Sequence, residues 1–185
     1  MEALVILITT LVCLDFIVKL TFLKPVYAAG MAVLCALFVG LMCNTAASQS
    51  STALHEFLSD PASMLDMAVF LSVDVIAGIT FCWLSVRKAD GEPMGFGSRL
   101  LLETVRFFPG ITVFLILFYM LVNVIFAFPG VSFSLLSWIF AAVVLVSVLL
   151  LSYIVRAAMP EARGRLDLMF MAYVLTGMAG VLVTV

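Results

Sequence analysis

Two aspartates and a lysine stand where charge is least welcome. Asp15 and Lys19 lie in "LVCLDFIVKLTF" (11–22) and Asp74 in "MAVFLSVDVIAGITF" (67–81), runs that are otherwise almost wholly apolar. An aspartate at the centre of a membrane helix costs roughly 2.5–3.5 kcal/mol on insertion scales, so each one needs a reason. Lys19 follows Asp15 by four residues, which on a helix puts both on one face. Two chemistries fit. In one, the three groups form a buried network that fixes how two helices pack, with Lys19 neutralising Asp15 or snorkelling to the surface. In the other, Asp74 or Asp15 binds a proton or cation as a coupling carboxylate. Asp15 is the better candidate for pairing. Asp74 has no partner within its own helix and is the stronger functional candidate.

Other chemistry finds little support. The single histidine, His55, stands beside Glu56 and near Asp60, and would need further ligands from elsewhere to hold a metal. One histidine also excludes a bis-histidine haem held within the chain. "GFGS" (95–98) lacks the lysine and spacing of a phosphate-binding loop, and no G-x-S-x-G elbow occurs. Cys13, Cys35, Cys43 and Cys82 all fall in apolar runs, where cysteine behaves as a small hydrophobe. No catalytic residue, metal or cofactor is expected, and the chain is not expected to be an enzyme. A net charge of -2 argues against a nucleic-acid partner.

The elements that must position these residues follow from composition. Of 185 residues 65% are hydrophobic and only 11% charged, with mean hydropathy +1.31. A soluble domain carries about a quarter charged residues, so the solvent for this surface is lipid. The sequence predicts an all-α, polytopic membrane helix bundle in a single domain, 1–185. About six segments are long enough to cross a bilayer: 3–22, 26–43, 64–86, 107–127, 133–155 and 167–185. Lys24-Pro25 joins the first two as an antiparallel hairpin. The stretches 44–63, 87–99 and 156–166 are expected to be loops.

Lys24, Arg87, Lys88, Arg99, Arg106, Arg156, Arg163 and Arg165 all fall on one side of this scheme, and the opposite loops contain no Lys or Arg. By the positive-inside rule the basic side is cytoplasmic and both termini lie on the other side. Counted inward at 1.5 Å per residue, Asp15 then lies about 18 Å deep and Asp74 about 15 Å deep, at nearly one level. Asp66 falls in the first turn of the third span, where a helix N-terminus favours negative charge. Glu103 and Arg106 read as an interfacial pair at the start of the fourth span.

Small residues recur every four positions in two spans: Ala28, Ala32, Ala36 and Gly40 in the second, and Ala172, Thr176, Gly180 and Thr184 in the last. Such stripes let backbones approach closely, either within the bundle or against another subunit. The fourth span carries Phe107, Phe108, Phe114, Phe118, Tyr119 and Phe126, with Asn123 as its main polar group, and is expected to face lipid or a partner. It is bracketed by Phe108-Pro109-Gly110 and Phe128-Pro129-Gly130, which read as helix punctuation rather than a binding motif. A solitary transporter is weakened because Asp15 and Asp74 have no counterparts in the second half.

"DPASMLDMAVFLSVDV" (60–75) and "FAFPGVSF" (126–133) carry a resemblance. Here the chain resembles small polytopic membrane proteins encoded beside ExbB/MotA/TolQ-type proton-channel proteins in haem-uptake operons of Bacteroidetes. The resemblance covers about a third of the chain and assigns no residue a role. It implies a partner of a proton-driven motor that energises outer-membrane, TonB-dependent uptake. The functional expectation is therefore a non-enzymatic inner-membrane subunit of an energy-transducing or transport complex, with other membrane subunits as partners. The alternative is a small secondary transporter with an intramembrane carboxylate coupling site.

Overall fold

Proline and glycine cut the apolar sequence into helices. The computed structural model describes residues 2–48, 61–128 and 130–183. The elements run α1 (Glu2–Leu20), α2 (Pro25–Leu41), α3 (Cys43–Ser48), α4 (Pro61–Ala89), α5 (Phe96–Phe107), α6 (Ile111–Ala127), α7 (Phe133–Ala158) and α8 (Ala162–Val183). No strand occurs among the described residues, so the all-α class holds. His55, Glu56, Asp60, most of the 44–63 stretch, Pro129 and Thr184 lie outside the described residues.

Three helical stretches are long and apolar enough to cross a membrane: Leu65–Ala89, Phe96–Ala127 and Phe133–Ala158, with Pro25–Leu41 a shorter apolar helix. Their outer faces are apolar too, with Val33, Ile76, Leu101 and Leu150 exposed, as are Met171 and Val181 of α8. A surface of that kind suits hydrocarbon as its solvent.

Several boundaries differ from expectation, mainly because the helices run past their apolar cores. α4 starts at Pro61, so Asp66 stands beyond the first turn and is not the capping group expected. The loop expected at 87–99 shrinks to 90–95, because Arg87 and Lys88 complete the last turn of α4, where cations suit the helix C-terminus. The 156–166 loop likewise shrinks to 159–161 around Pro160. Lys24-Pro25 does separate α1 from α2, with Pro25 at a first helical position. Yet α2 packs chiefly on α7, its sequence-distant neighbour, rather than on α1.

Two cores result. In one, Val12 and Phe16 of α1, Cys35 and Val39 of α2, and Leu121, Val122 and Ile125 of α6 pack with Ala141 and Val144 of α7. In the other, Val18 of α1, Phe81, Cys82 and Leu84 of α4, and Leu102 and Val105 of α5 pack with Met169 and Tyr173 of α8. The small-residue stripes serve these contacts. Ala28, Ala32 and Gly40 are buried and Ala36 half-buried, and a Cβ at Gly40 would meet the Trp138 ring at 3.0 Å. Ala172, Thr176 and Gly180 are buried, with Leu71 of α4 lying 2.8 Å from where a Cβ on Gly180 would be.

The expectation that the fourth span faces outward is overturned. The most apolar 18-residue part of Phe96–Ala127 is 44% buried, against 28% for that of Leu65–Ala89 and 17% for that of Phe133–Ala158. The reason is which residues turn inward. An aliphatic stripe of Val113, Ile116, Leu117, Leu121 and Ile125 enters the core, while Phe107 and Phe126 stay exposed and Phe114, Phe118 and Tyr119 are half-buried. Asn123 is exposed, and its side-chain amide donates to the Tyr119 carbonyl of its own helix at 2.9 Å.

Candidate functional site

The 32-residue apolar stretch from Phe96 to Ala127 is not one continuous helix. Phe108-Pro109-Gly110 interrupts it, because proline cannot donate to the helical ladder and Gly110 takes φ +94°, a conformation that side chains resist. α5 ends at Phe107 and α6 begins at Ile111, which leaves amides and carbonyls without helical partners at the break. In lipid these groups must find partners inside the protein.

Charges from two other helices supply them. Asp74 of α4 accepts from both leading amides of α6, with Ile111 N 2.9 Å from Oδ1 and Thr112 N 2.7 Å from Oδ2. An anion at a helix N-terminus also meets the positive end of the helix dipole. Lys19 of α1 donates through Nζ to the Phe108 carbonyl at 2.7 Å, and its ammonium lies 5.7 Å from the Phe81 ring centroid. Gly110 leaves room for the cap, since a Cβ there would come within 3.1 Å of Asp74 Oδ2.

Asp15 completes the group. It is 3% exposed, and Oδ2 accepts from the Thr176 hydroxyl of α8 at 3.3 Å. The same hydroxyl donates to Ala172 O at 2.8 Å, so its proton is shared. Asp15 Oδ1 is buried and has no hydrogen-bond partner among the described residues. Asp15, Lys19, Asp74, Gly110 and Thr176 all line one cavity of about 20 Å³. Asp15 of α1 and Asp74 of α4 thus face the same small space from two different helices.

The three ionisable candidates thus meet around one point, but with their partners exchanged. Lys19 is not ion-paired to Asp15; a carbonyl freed by the helix break accepts its hydrogen bond. Asp74, without a partner on its own helix, is fully engaged by a neighbouring one. Asp15 is left with an open oxygen. Two participants carried no functional expectation. Thr176 was assigned to packing alone, and Phe108-Pro109-Gly110 to punctuation. The available signal for the latter was a Pro-Gly pair inside a long apolar stretch, the mark of a discontinuous membrane helix. No group of three or more His, Cys, Asp or Glu that could hold a metal ion occurs among the described residues.

Glu103 lies 3.6 Å from Arg106, the pair expected from their spacing. Compared with known protein families, curated proteins and solved structures, the chain matches none.

Proposed function

We propose that this chain is a non-enzymatic integral membrane protein whose Asp15 takes up a proton or a small cation, serving the energy coupling of a membrane transport assembly. One observation carries this: a buried carboxylate that lines a small cavity, with one oxygen held by Thr176 and the other without a partner among the described residues. Intramembrane acids that are not fully paired are the groups transport proteins use to move charge. Lys19 and Asp74 hold the broken helix against that cavity, as discontinuous helices frame ion sites in transporters.

The size of the cavity favours an ion over an organic solute. A space of about 20 Å³ holds one water or a small ion. A chain that handles the ion and not the solute needs partners, which supports the reading as a subunit. The resemblance at 60–75 and 126–133 gives the class of partner, a proton-driven motor of the ExbB/MotA type. On this reading there are about six spans, the basic end faces the cytoplasm of a bacterial inner membrane, and both termini lie on the other side.

Proteoliposomes carrying the purified chain and a trapped pH-sensitive dye test the proposal, with sodium or potassium gradients as parallel arms. Wild-type protein, alone or with the subunits that co-purify in mild detergent, should conduct one of these ions. Asp15→Asn should abolish the flux while its circular dichroism melt stays that of wild type. Equal flux in the variant, or no flux from either the lone chain or its native assembly, would overturn the assignment.

A further inference from the structure

Three arginines from three helices meet at the turn that ends α1. Arg156, from α7, donates through Nη2 to Thr21 O at 2.5 Å and Leu23 O at 3.0 Å. Arg106, from α5, donates through Nη2 to Phe22 O. Arg165, at the head of α8, sets its guanidinium 5.2 Å from the Phe22 ring centroid. The first two explain themselves, because cations suit the carbonyls exposed at a helix C-terminus.

Arg165 does not. It is 8% exposed, its Nε has no partner, and its side chain makes no hydrogen bond or ion pair among the described residues. Arg106 Nε is also buried and unpartnered. Arg156 lies close enough for its charge to act unfavourably on Arg165. Glu103, 3.6 Å from Arg106, is the one carboxylate within ion-pair reach of the three among the described residues. Three positive charges against one negative leave the cluster short of an anion. A buried guanidinium is retained at such cost when something negative occupies its fork.

We propose that Arg165, Arg156 and Arg106 form a binding site for a phosphate group at the α1–α2 turn. The guanidinium plane suits the tetrahedral oxygens of phosphate, which accept two parallel N–H bonds. The turn stands at the bundle end where Arg87, Lys88 and Arg163 also gather, so both a lipid headgroup and a soluble phosphate can reach it. The site is separate from the Asp15 cavity and does not depend on its role.

Native mass spectrometry of the full chain, released from nanodiscs of phosphatidylcholine with or without phosphatidylglycerol, reads the lipid arm. Thermal melts in inorganic phosphate, with chloride at matched ionic strength, read the soluble arm. Wild type should retain phosphatidylglycerol over phosphatidylcholine, or be stabilised by phosphate beyond chloride, and whichever arm responds identifies the source. Arg165→Gln should weaken that response by about tenfold or more, the loss of one charge-assisted bond. Arg165→Lys keeps the charge and should fold, yet lose part of the preference through its lost fork. Absence of selectivity in both arms, or an unchanged response in both variants, would overturn the site.

Discussion

Removing the Asp74 carboxylate strips the acceptors from the start of α6. Asp74→Ala leaves Ile111 N and Thr112 N without their protein partners, because a methyl group supplies no acceptor. Each unsatisfied amide costs about 1–3 kcal/mol. Partial relaxation of the break brings the pair to about 2–4 kcal/mol, or about a thirtyfold to thousandfold change in local opening. Asp74→Asn keeps one acceptor oxygen and turns an amide donor toward the other N–H, so it should lose about half as much. Amide hydrogen exchange of the nanodisc-embedded protein reads this at residue level. Protection should fall at Ile111 and Thr112 while Val143 and Val144, in the middle of α7, keep theirs. If Ile111 and Thr112 in Asp74→Ala exchange within about threefold of wild type, the carboxylate is not holding the helix start, and the account of the break fails.

Other perturbations address the packing and the second arm of the break. Gly78→Ala would drive a Cβ into the Tyr173 ring, separating α4 from α8, and should cost about 1–3 kcal/mol by thermal or denaturant unfolding in detergent. Gly180→Ala meets only the movable tip of Leu71, so its cost should stay under about 1 kcal/mol, and equal losses in the two variants would contradict the contacts described. Lys19→Met removes the donor to Phe108 O and should cost about 1–3 kcal/mol, with the infrared band of a labelled Phe108 carbonyl shifting toward the unbonded position. An unshifted band would show that Lys19 does not hold that carbonyl.

Much of this was legible in the residues themselves. The apolar runs and their proline boundaries announced the helices. Counting along the spans puts Asp15 and Asp74 at nearly one depth, and the two do line one cavity. In the four-residue stripes Ala28, Ala32, Gly40, Ala172, Thr176 and Gly180 are buried and Ala36 is half-buried. What failed to show was the partner of each charge. A four-residue spacing says that Lys19 can reach Asp15, but not that a nearer carbonyl competes for it. The two Phe-Pro-Gly tripeptides look alike in sequence, and only Asp74, brought from α4, marks the first as an internal break whose amides are held. The inward face of α6 was hidden for a related reason. The conspicuous aromatics took attention from the aliphatic stripe beside them, and it is the stripe that fills the core.

The axial position of Asp15 has an electrical consequence. It stands thirteen residues from one end of α1 and five from the other, about 20 Å against about 8 Å at the helical rise. An ion reaching it from the far end would traverse roughly two-thirds of a hydrocarbon layer about 30 Å thick, and with it a similar share of the voltage drop. A unit charge gains about 2.3 kcal/mol per 100 mV over the whole drop, so occupancy from that side would change by roughly tenfold per 100 mV. From the basic end the remaining third of the drop would change occupancy by only about threefold to fourfold per 100 mV. On the proposed ion-binding role of Asp15, the place of one acid along one helix would give the protein a polarity.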